Sequence, residues 1–434
     1  MLYFEFIHIV RNPYKVIALL LFTFTSIYAL YNGHNFYKER DHQLSSIEES
    51  IEEMHLTTKE YYENNVKGPE DRPWVDVTTP FWAMWNAHHY VFDDPSKMIT
   101  YNIGQADQFA FYKRVSMTSS AYDDDLTAEI ANPEMVSLGN LDFGFMWLYI
   151  MPLLLIVFTY SINGLEYDLR FEKLIAVQSP NKWVWLSKRL SVILLFFASL
   201  LLLLVFVPSL FGGFVFSQLS SVLSIFILCF LYLMGWLLFV GLVLYYGKGQ
   251  TDQAFKLVIL WLSFCLIIPG AFHQLTAIKH PADYNLEFIN TSRDIRNNLF
   301  KRDFEELKEE VFQVYPELEN TFFAQNDSLL TQQAKNAVYR MAMNFELQKV
   351  DTHVESELAT RNAFIKSTYM INPIIALQNK LNDITGTGFK SHYDFKLKIS
   401  DAGKSINEKL LWDEWNCVKV DANTYKDYIK LINR

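Results

Sequence analysis

The segment Leu190–Phe211 places the tightest limit on what this chain can fold into, because it contains no charged residue. At about 1.5 Å per residue, a helix of this length just crosses a hydrocarbon core of about 30 Å. Four other apolar segments have a comparable length: Tyr14–Tyr31, Phe143–Ile162, Leu219–Tyr246 and Leu257–Leu275. The pattern predicts a mainly α, polytopic helical membrane protein with about five transmembrane helices.

Two long polar segments, residues 32–142 and 276–434, are predicted to be helical domains outside the membrane. A narrow apolar stripe predicts a long helix over Asn35–Asn64, and similar spacing predicts helices over Ser292–Val314 and Leu329–Lys366. Because such stripes need partners, we expect the first of these helices to pack on Leu329–Lys366. The two segments would then form one folded unit.

Proline and glycine residues, which favour helix starts and ends, refine the predicted helix boundaries. Tyr315-Pro316 is expected to end one helix, Pro373 to begin another, and Gly386-Thr387-Gly388 to end that one. At the other terminus, residues 1–13 carry apolar side chains at helical spacing and are predicted to lie in the membrane interface. A signal peptide is the rival interpretation, but Glu5 and the lack of a small-residue cleavage site disfavour it.

The basic residues of the short loops predict the orientation. They fall on one side of the membrane if the spans alternate: Arg11, Lys15, Arg170, Lys173, Lys182, Lys188, Arg189, Lys248 and Lys256. The opposite short loop, Pro208–Gln218, carries no charge. The positive-inside rule therefore places the N-terminus and the loop at residues 163–189 in the cytoplasm, and both long segments outside.

The loop at residues 163–189 contains a predicted amphipathic helix, Glu166–Val177, which Ser179-Pro180 would end. One interpretation is a cytoplasmic contact with a partner. The other is an interfacial connector whose basic side chains extend to the membrane surface.

Two stretches carry a resemblance to a known family. Glu166, the apolar helix, and then Gln178-Ser179-Pro180-Asn181-Lys182 resemble the loop between the second and third spans of ABC-2-type permeases. Arg170-Phe171-Glu172 stand where that pattern has Gly-Thr-Leu, and Ser179 separates Gln178 from Pro180. The run from Ile371 to Gln378, followed by Ile384-Thr385-Gly386-Thr387-Gly388, His392 and Phe395, together with Pro281 through Arg296, resembles a subfamily with large external domains and no assigned substrate.

The resemblance implies a coupling helix that docks on a separate ATPase subunit. The residues it assigns to this contact are Glu166, Leu169, Lys173, Leu174, Gln178 and Lys182. It also implies a second permease chain, identical or paralogous, and a bacterial cytoplasmic membrane. ATP and Mg would be bound by the ATPase, so no cofactor is expected in this chain. The subfamily pattern has a sixth span, whereas five spans here would leave the C-terminus outside.

Several other functions are disfavoured. The net charge of -10 argues against nucleic acid as a partner. The glycines of Gly241–Gly249 lack phosphate-loop spacing, and no catalytic constellation is found, so we expect a non-enzymatic subunit. His88 and His89 would diverge on a helix, so we expect a solvated face and no metal site. The absence of charge inside the spans argues against a secondary transporter. A membrane-anchored receptor or scaffold acting through its external domains remains the alternative.

Overall fold

The computed structural model describes residues 11–118, 120–122, 141–162, 168–171, 177, 181–213, 216–281 and 284–432. Within these ranges the protein is mainly helical, as predicted. The helices are α1 (Pro13–Glu63), α2 (Pro80–Asn86), α3 (Phe143–Thr159), α4 (Lys182–Phe206), α5 (Leu219–Tyr246), α6 (Gln250–Lys279), α7 (Tyr284–Leu299), α8 (Phe304–Val314), α9 (Phe322–Gln325), α10 (Gln332–Ser367), α11 (Pro373–Thr385), α12 (Phe389–Trp415) and α13 (Ala422–Lys430). Strands β1 (Tyr90–Phe92) and β2 (Tyr112–Arg114) pair antiparallel, with Tyr90 opposite Arg114.

Four of these helices are long and apolar enough to cross a membrane: α1, α4 with the 3₁₀ turn that follows it, α5 with the 3₁₀ turn before it, and α6. The apolar helix α3 is shorter. Together these helices form a bundle whose core buries Phe22, Trp147 and Phe197. The outer surface of the bundle is apolar too, with Phe24 67% exposed and Leu238 68% exposed. Helices that are apolar on every side are typical of membrane spans.

Helix α1 is continuous, so the predicted span Tyr14–Tyr31 and the predicted helix Asn35–Asn64 are parts of one helix. The chain does not break at Gly33, where a Cβ atom would lie 2.5 Å from the carbonyl oxygen of Thr100. The glycine therefore serves a close approach between α1 and the 3₁₀ turn at Lys97–Thr100. Its neighbours Ala29 and Leu30 are fully buried, so helix packing compensates for the weak helix propensity of glycine.

A second core joins the two long segments into one outer unit, as the sequence predicts. This core buries Met84 from the first segment with Val338, Phe395, Trp415 and Tyr425 from the second. The expected helix pairing was wrong, however. Helix α10 packs mainly on α12, α7 and α8, whereas the outer half of α1 meets the turn at Lys97–Thr100, α2 and α13.

Three of the helix boundaries predicted at proline or glycine residues are confirmed. Helix α8 ends before Tyr315-Pro316, α11 begins at Pro373, and Gly386 ends α11 with a φ of 72° in the left-handed region. The predicted helix Ser292–Val314 is interrupted between α7 and α8, where Asp303 starts the second helix.

Candidate functional site

The structure describes only part of the predicted coupling segment. Glu166, Lys173, Leu174 and Gln178 lie outside the described residues. Leu169 lies in a turn and is 54% exposed, so its side chain is available for contact with a partner.

Lys182 lies at the start of α4 and is bound within the chain. Its ammonium donates a hydrogen bond to the carbonyl oxygen of Tyr245 at 2.6 Å and lies 5.1 Å from the centre of that ring. The indole of Trp183 stacks on the same ring at 4.4 Å. Lys182 therefore ties the start of α4 to the end of α5, which is a positioning role within the bundle.

Asn181 is a helix-capping residue that the sequence analysis missed. Its side-chain oxygen accepts hydrogen bonds from the backbone N–H groups of Trp183 at 3.0 Å and Val184 at 3.4 Å, and so caps α4. The signal was present in the sequence, since an asparagine directly before an apolar helix is a typical helix start.

Together with the bond of Lys182 to the end of α5, three other contacts gather five helix ends at the same end of the bundle, here called the inner end. The backbone N–H of Gln250, at the start of α6, donates to the carboxylate of Asp168 at 3.2 Å. Arg189 of α4 donates to the carbonyl oxygen of Ile162 at 2.9 Å, just after α3. Near the start of α1, Lys15 donates to the carbonyl oxygen of Phe158 at 3.2 Å. Three of the basic residues that the sequence places on one side, Lys15, Lys182 and Arg189, thus lie at one end of the structure.

The inner end also exposes apolar side chains. Phe171 is 52% exposed and Val177 is 84% exposed, and both belong to the same loop as the exposed Leu169. These exposed side chains are available for contact with another molecule, protein or lipid.

At the opposite, outer end, helix α11 joins the outer unit to the bundle. Ile374 and Leu381 of α11 are buried in the core of the bundle. The hydroxyl of Tyr149, in α3, donates to the side-chain oxygen of Gln378 at 2.9 Å. Since α11 also contacts α12, it links the spans to the outer unit by direct packing.

A buried polar cluster lies at this junction. The side-chain amide of Asn102 donates to the side-chain oxygen of Asn382 at 2.6 Å and to the hydroxyl of Thr387 at 3.2 Å. The hydroxyls of Thr385 and Thr387 are 2.8 Å apart. A Cβ atom at Gly104 would lie 2.6 Å from the Asn382 oxygen, so the cluster needs glycine there. No sequence pattern predicts this cluster, because its members are distant in the chain.

Asp142 anchors the start of α3 beside this cluster. Its carboxylate accepts hydrogen bonds from the backbone N–H groups of Ile103 at 3.0 Å, Gly104 at 3.1 Å and Phe145 at 2.7 Å. Burial raises the pKa of Asp142, although these three donors oppose the shift. The carboxylate caps the helix and holds the neighbouring loop against it.

A small pocket of about 70 Å³ lies between the two long segments, next to Arg40 and His392. Arg40 is buried and donates to the carbonyl oxygens of Ala106 and Phe109. Burial lowers its pKa to about 10 and raises the pKa of Asp93 to about 6. The ring of His392 stacks on Phe109 at 3.9 Å, and burial lowers its pKa to about 3. These groups hold α1 against the outer unit, since the pocket is too small for more than a few water molecules.

The adjacent histidines do not lie on a solvated face, which corrects the sequence analysis. His89 is 6% exposed, and burial, the largest cause, lowers the pKa values of both His88 and His89 to about 4. They adjoin a cleft of about 520 Å³ beside His55 of α1. Among the described residues, no group of three or more His, Cys, Asp or Glu side chains is placed to hold a metal ion.

The comparisons with known proteins concern the outer unit. A family model described as a domain of unknown function (DUF3526) matches residues 285–428, which extend from α7 to α13. No curated protein and no solved structure matches the sequence. The matched range includes α11 and therefore the link between the outer unit and the bundle.

Proposed function

We propose that this chain is the membrane-spanning permease subunit of an ABC exporter of the ABC-2 type. It is a polytopic protein of the bacterial cytoplasmic membrane, with its N-terminus and inner end in the cytoplasm. It acts with a second permease chain and with a separate ATPase that binds ATP and Mg. The resemblance of residues 166–182 to the coupling loop of such permeases motivates the proposal.

The observation that carries the proposal is the arrangement of the inner end. Exposed Leu169, Phe171 and Val177 provide apolar side chains that a groove on an ATPase would cover. The same end is tied to the spans, since Asp168 holds α6 and Lys182 holds α5. A movement imposed on this loop would therefore pass to the ends of α4, α5 and α6.

At the outer end of the bundle, α11 would transmit the same movement to the outer unit. Helix α11 packs on α5 and on α12, so a shift of the spans would move the outer unit with it. The spans contain no charged residue in their interior that would serve an ion-coupled transporter. The energy for transport would then come from the contact with the ATPase on the cytoplasmic side. The resulting movement of the spans would reach the outer unit through α11.

Co-purification of the ATPase with the full chain tests this proposal. The variants are Leu169→Ala, Leu174→Ala, Lys173→Glu and Glu166→Lys. Each leucine truncation removes the equivalent of about three methylene groups, worth about 0.8 kcal/mol each when fully buried, so we expect association to weaken by up to about fiftyfold. The charge reversals should weaken association as well if an opposite charge lies across the interface.

Leu210→Ala is the matched control, since Leu210 is 84% exposed near the opposite end of α4. It should leave both ATPase binding and ATPase turnover unchanged. Wild-type association in all four loop variants would refute the coupling role. It would favour the receptor or scaffold, which needs no contact at the inner end.

A further inference from the structure

Helices α10 and α11 form a hairpin that turns at residues 368–372 beside the bundle. Near the end of α10, the ring of Phe364 lies 4.5 Å from the ammonium of Lys279, at the end of α6. The side-chain amide of Asn379 donates to the hydroxyl of Tyr369 at 2.8 Å and closes the hairpin. The tip exposes large apolar side chains, with Met370 96% exposed and Ile371 62% exposed.

The hairpin reaches far along the bundle. Its residues Ile374 and Leu377 line a cavity together with Gly235 of α5 and Phe264 of α6. At about 1.5 Å per residue, Gly235 lies about 24 Å from Leu219 and about 16 Å from Tyr246, the two ends of α5. The first turn of α11 therefore contacts the bundle near the middle of the length of α5.

The cavity has a volume of about 210 Å³ and a predominantly apolar lining. The hydroxyl of Tyr232, one of its polar groups, already donates to the carbonyl oxygen of Leu148. No atom outside its own helix turn lies within 4 Å of a Cβ atom placed on Gly235, so there is free space at this glycine. The cavity is open on one side, so an apolar molecule at the surface of the bundle can enter it, whereas water would find few hydrogen-bonding partners there.

We infer that this cavity binds an acyl chain of a membrane lipid. The inference rests on the membrane location in the proposed function and is independent of the ATPase. At mid-depth of a span, lipid chains are the apolar molecules that surround the protein. The exposed Met370 and Ile371 lie just before Pro373, so the hairpin tip is expected to lie in the same hydrocarbon layer as the cavity.

The test uses the full chain in nanodiscs with a phospholipid that carries a photoreactive diazirine in its acyl chain. After illumination, mass spectrometry locates the labelled residues. We expect labelling at Ile374 and Leu377, and a reduction of about fivefold or more in Gly235→Phe, whose ring fills the cavity. Gly270→Phe is the matched control, since Gly270 also has free space around it and lies on the exposed side of α6.

The outcomes separate the inference from the proposal on which it rests. Leu195, 59% exposed on α4, reports lipid contact of the bundle itself. Labelling of Leu195 without Leu377, or equal labelling of Leu377 in the wild type and Gly235→Phe, would overturn the lipid site alone. Absence of labelling at Leu195 would count against the membrane location. Protection of the buried thiols Cys229 and Cys265 shows that each variant is folded. If Gly235→Phe unfolds, Leu377→Trp fills the same space from the opposite wall.

Discussion

Two tryptophans show how differently the bundle and the outer unit are stabilised. Trp147 in the bundle and Trp415 in the outer unit are both fully buried. Each indole N–H donates to a backbone carbonyl oxygen at 3.1 Å, that of Cys229 for Trp147 and that of Ala334 for Trp415. Outside the two cores the similarity ends, since the surface of the bundle is apolar and that of the outer unit carries pairs such as Lys349 and Glu346.

The difference lies in the environment that surrounds each side chain before the protein folds. Trp415 leaves water, so its burial contributes the full hydrophobic term. Trp147 would leave lipid, which is about as apolar as the core it enters. Its contribution is then limited to close packing and a hydrogen bond. Equal burial in the two regions therefore does not mean equal stabilisation.

The largest expected effect is that of Trp415→Ala, which should destabilise the outer unit by about 3–5 kcal/mol. Trp147→Ala should destabilise the bundle by clearly less. The measurement is thermal unfolding in nanodiscs of a Cys417→Ser background, in which a thiol-reactive dye reports exposure of Cys229 and Cys265 in the bundle. Limited proteolysis reports the outer unit.

Trp74→Ala is the control for this comparison, since Trp74 is 64% exposed in the outer unit. It should leave both transitions in place. Equal losses from Trp147→Ala and Trp415→Ala would mean that the bundle, like the outer unit, buries its side chains from water.

An intermediate effect is expected at the junction between the two regions. Asn102→Ala leaves buried polar atoms of Asn382 and Thr387 without the amide that donates to them. Such a loss costs about 1–3 kcal/mol. We expect the two unfolding transitions to move apart in the same assay, because the outer unit and the bundle lose part of their shared contact. Asn416→Ala, at an exposed asparagine, should keep them as in the wild type. Unchanged transitions in Asn102→Ala would show that this polar cluster does not contribute to the coupling between the two regions.

The smallest effect concerns pH and the outer unit alone. The pKa of His392 is about 3 in the folded protein, against about 6.5 in the unfolded chain. The unfolded chain therefore takes up the proton first, and stability is lost as the pH falls from about 6.5 towards 3. At pH 5 this loss amounts to at most about 2 kcal/mol. His392→Phe keeps the stacking on Phe109 without the titrating group and should lose less stability between pH 7.5 and 5.

The comparison isolates His392, because the other titrating groups are present in both proteins. These include Asp93, whose raised pKa acts in the opposite sense and favours folding as the pH falls. His353→Gln, at an exposed histidine, should retain the pH dependence of the wild type. An equal pH dependence in His392→Phe and the wild type would mean that His392 is accessible to protons in the folded state.

The spacing of apolar residues and the positions of proline and glycine predicted much of the fold. The apolar segments, the break at Tyr315-Pro316 and the limits of α11 were all readable, because each depends on a few neighbouring residues. The continuity of α1 through Gly33 was not, since it depends on Thr100, which is distant in the chain. An apolar stripe predicts which face of a helix is buried but not which helix covers it.

The candidate site was predictable to a smaller extent. The grouping of basic residues at the inner end follows from their sequence positions, and the structure places Lys15, Lys182 and Arg189 there. The bond from Lys182 to Tyr245 could not be foreseen, because a lysine near a span end has many possible acceptors. The cluster around Asn102 depends on tertiary contacts for the same reason.

Helix α1 has a mechanical consequence. Its 51 residues form a rod about 76 Å long at about 1.5 Å per residue. A bilayer core of about 30 Å would account for less than half of that length, so about 45 Å would project beyond it. The rod would act as a ruler that sets the height of the outer unit above the membrane. It would act as a lever too, since a tilt of about 10° at its inner end displaces its far tip by about 13 Å.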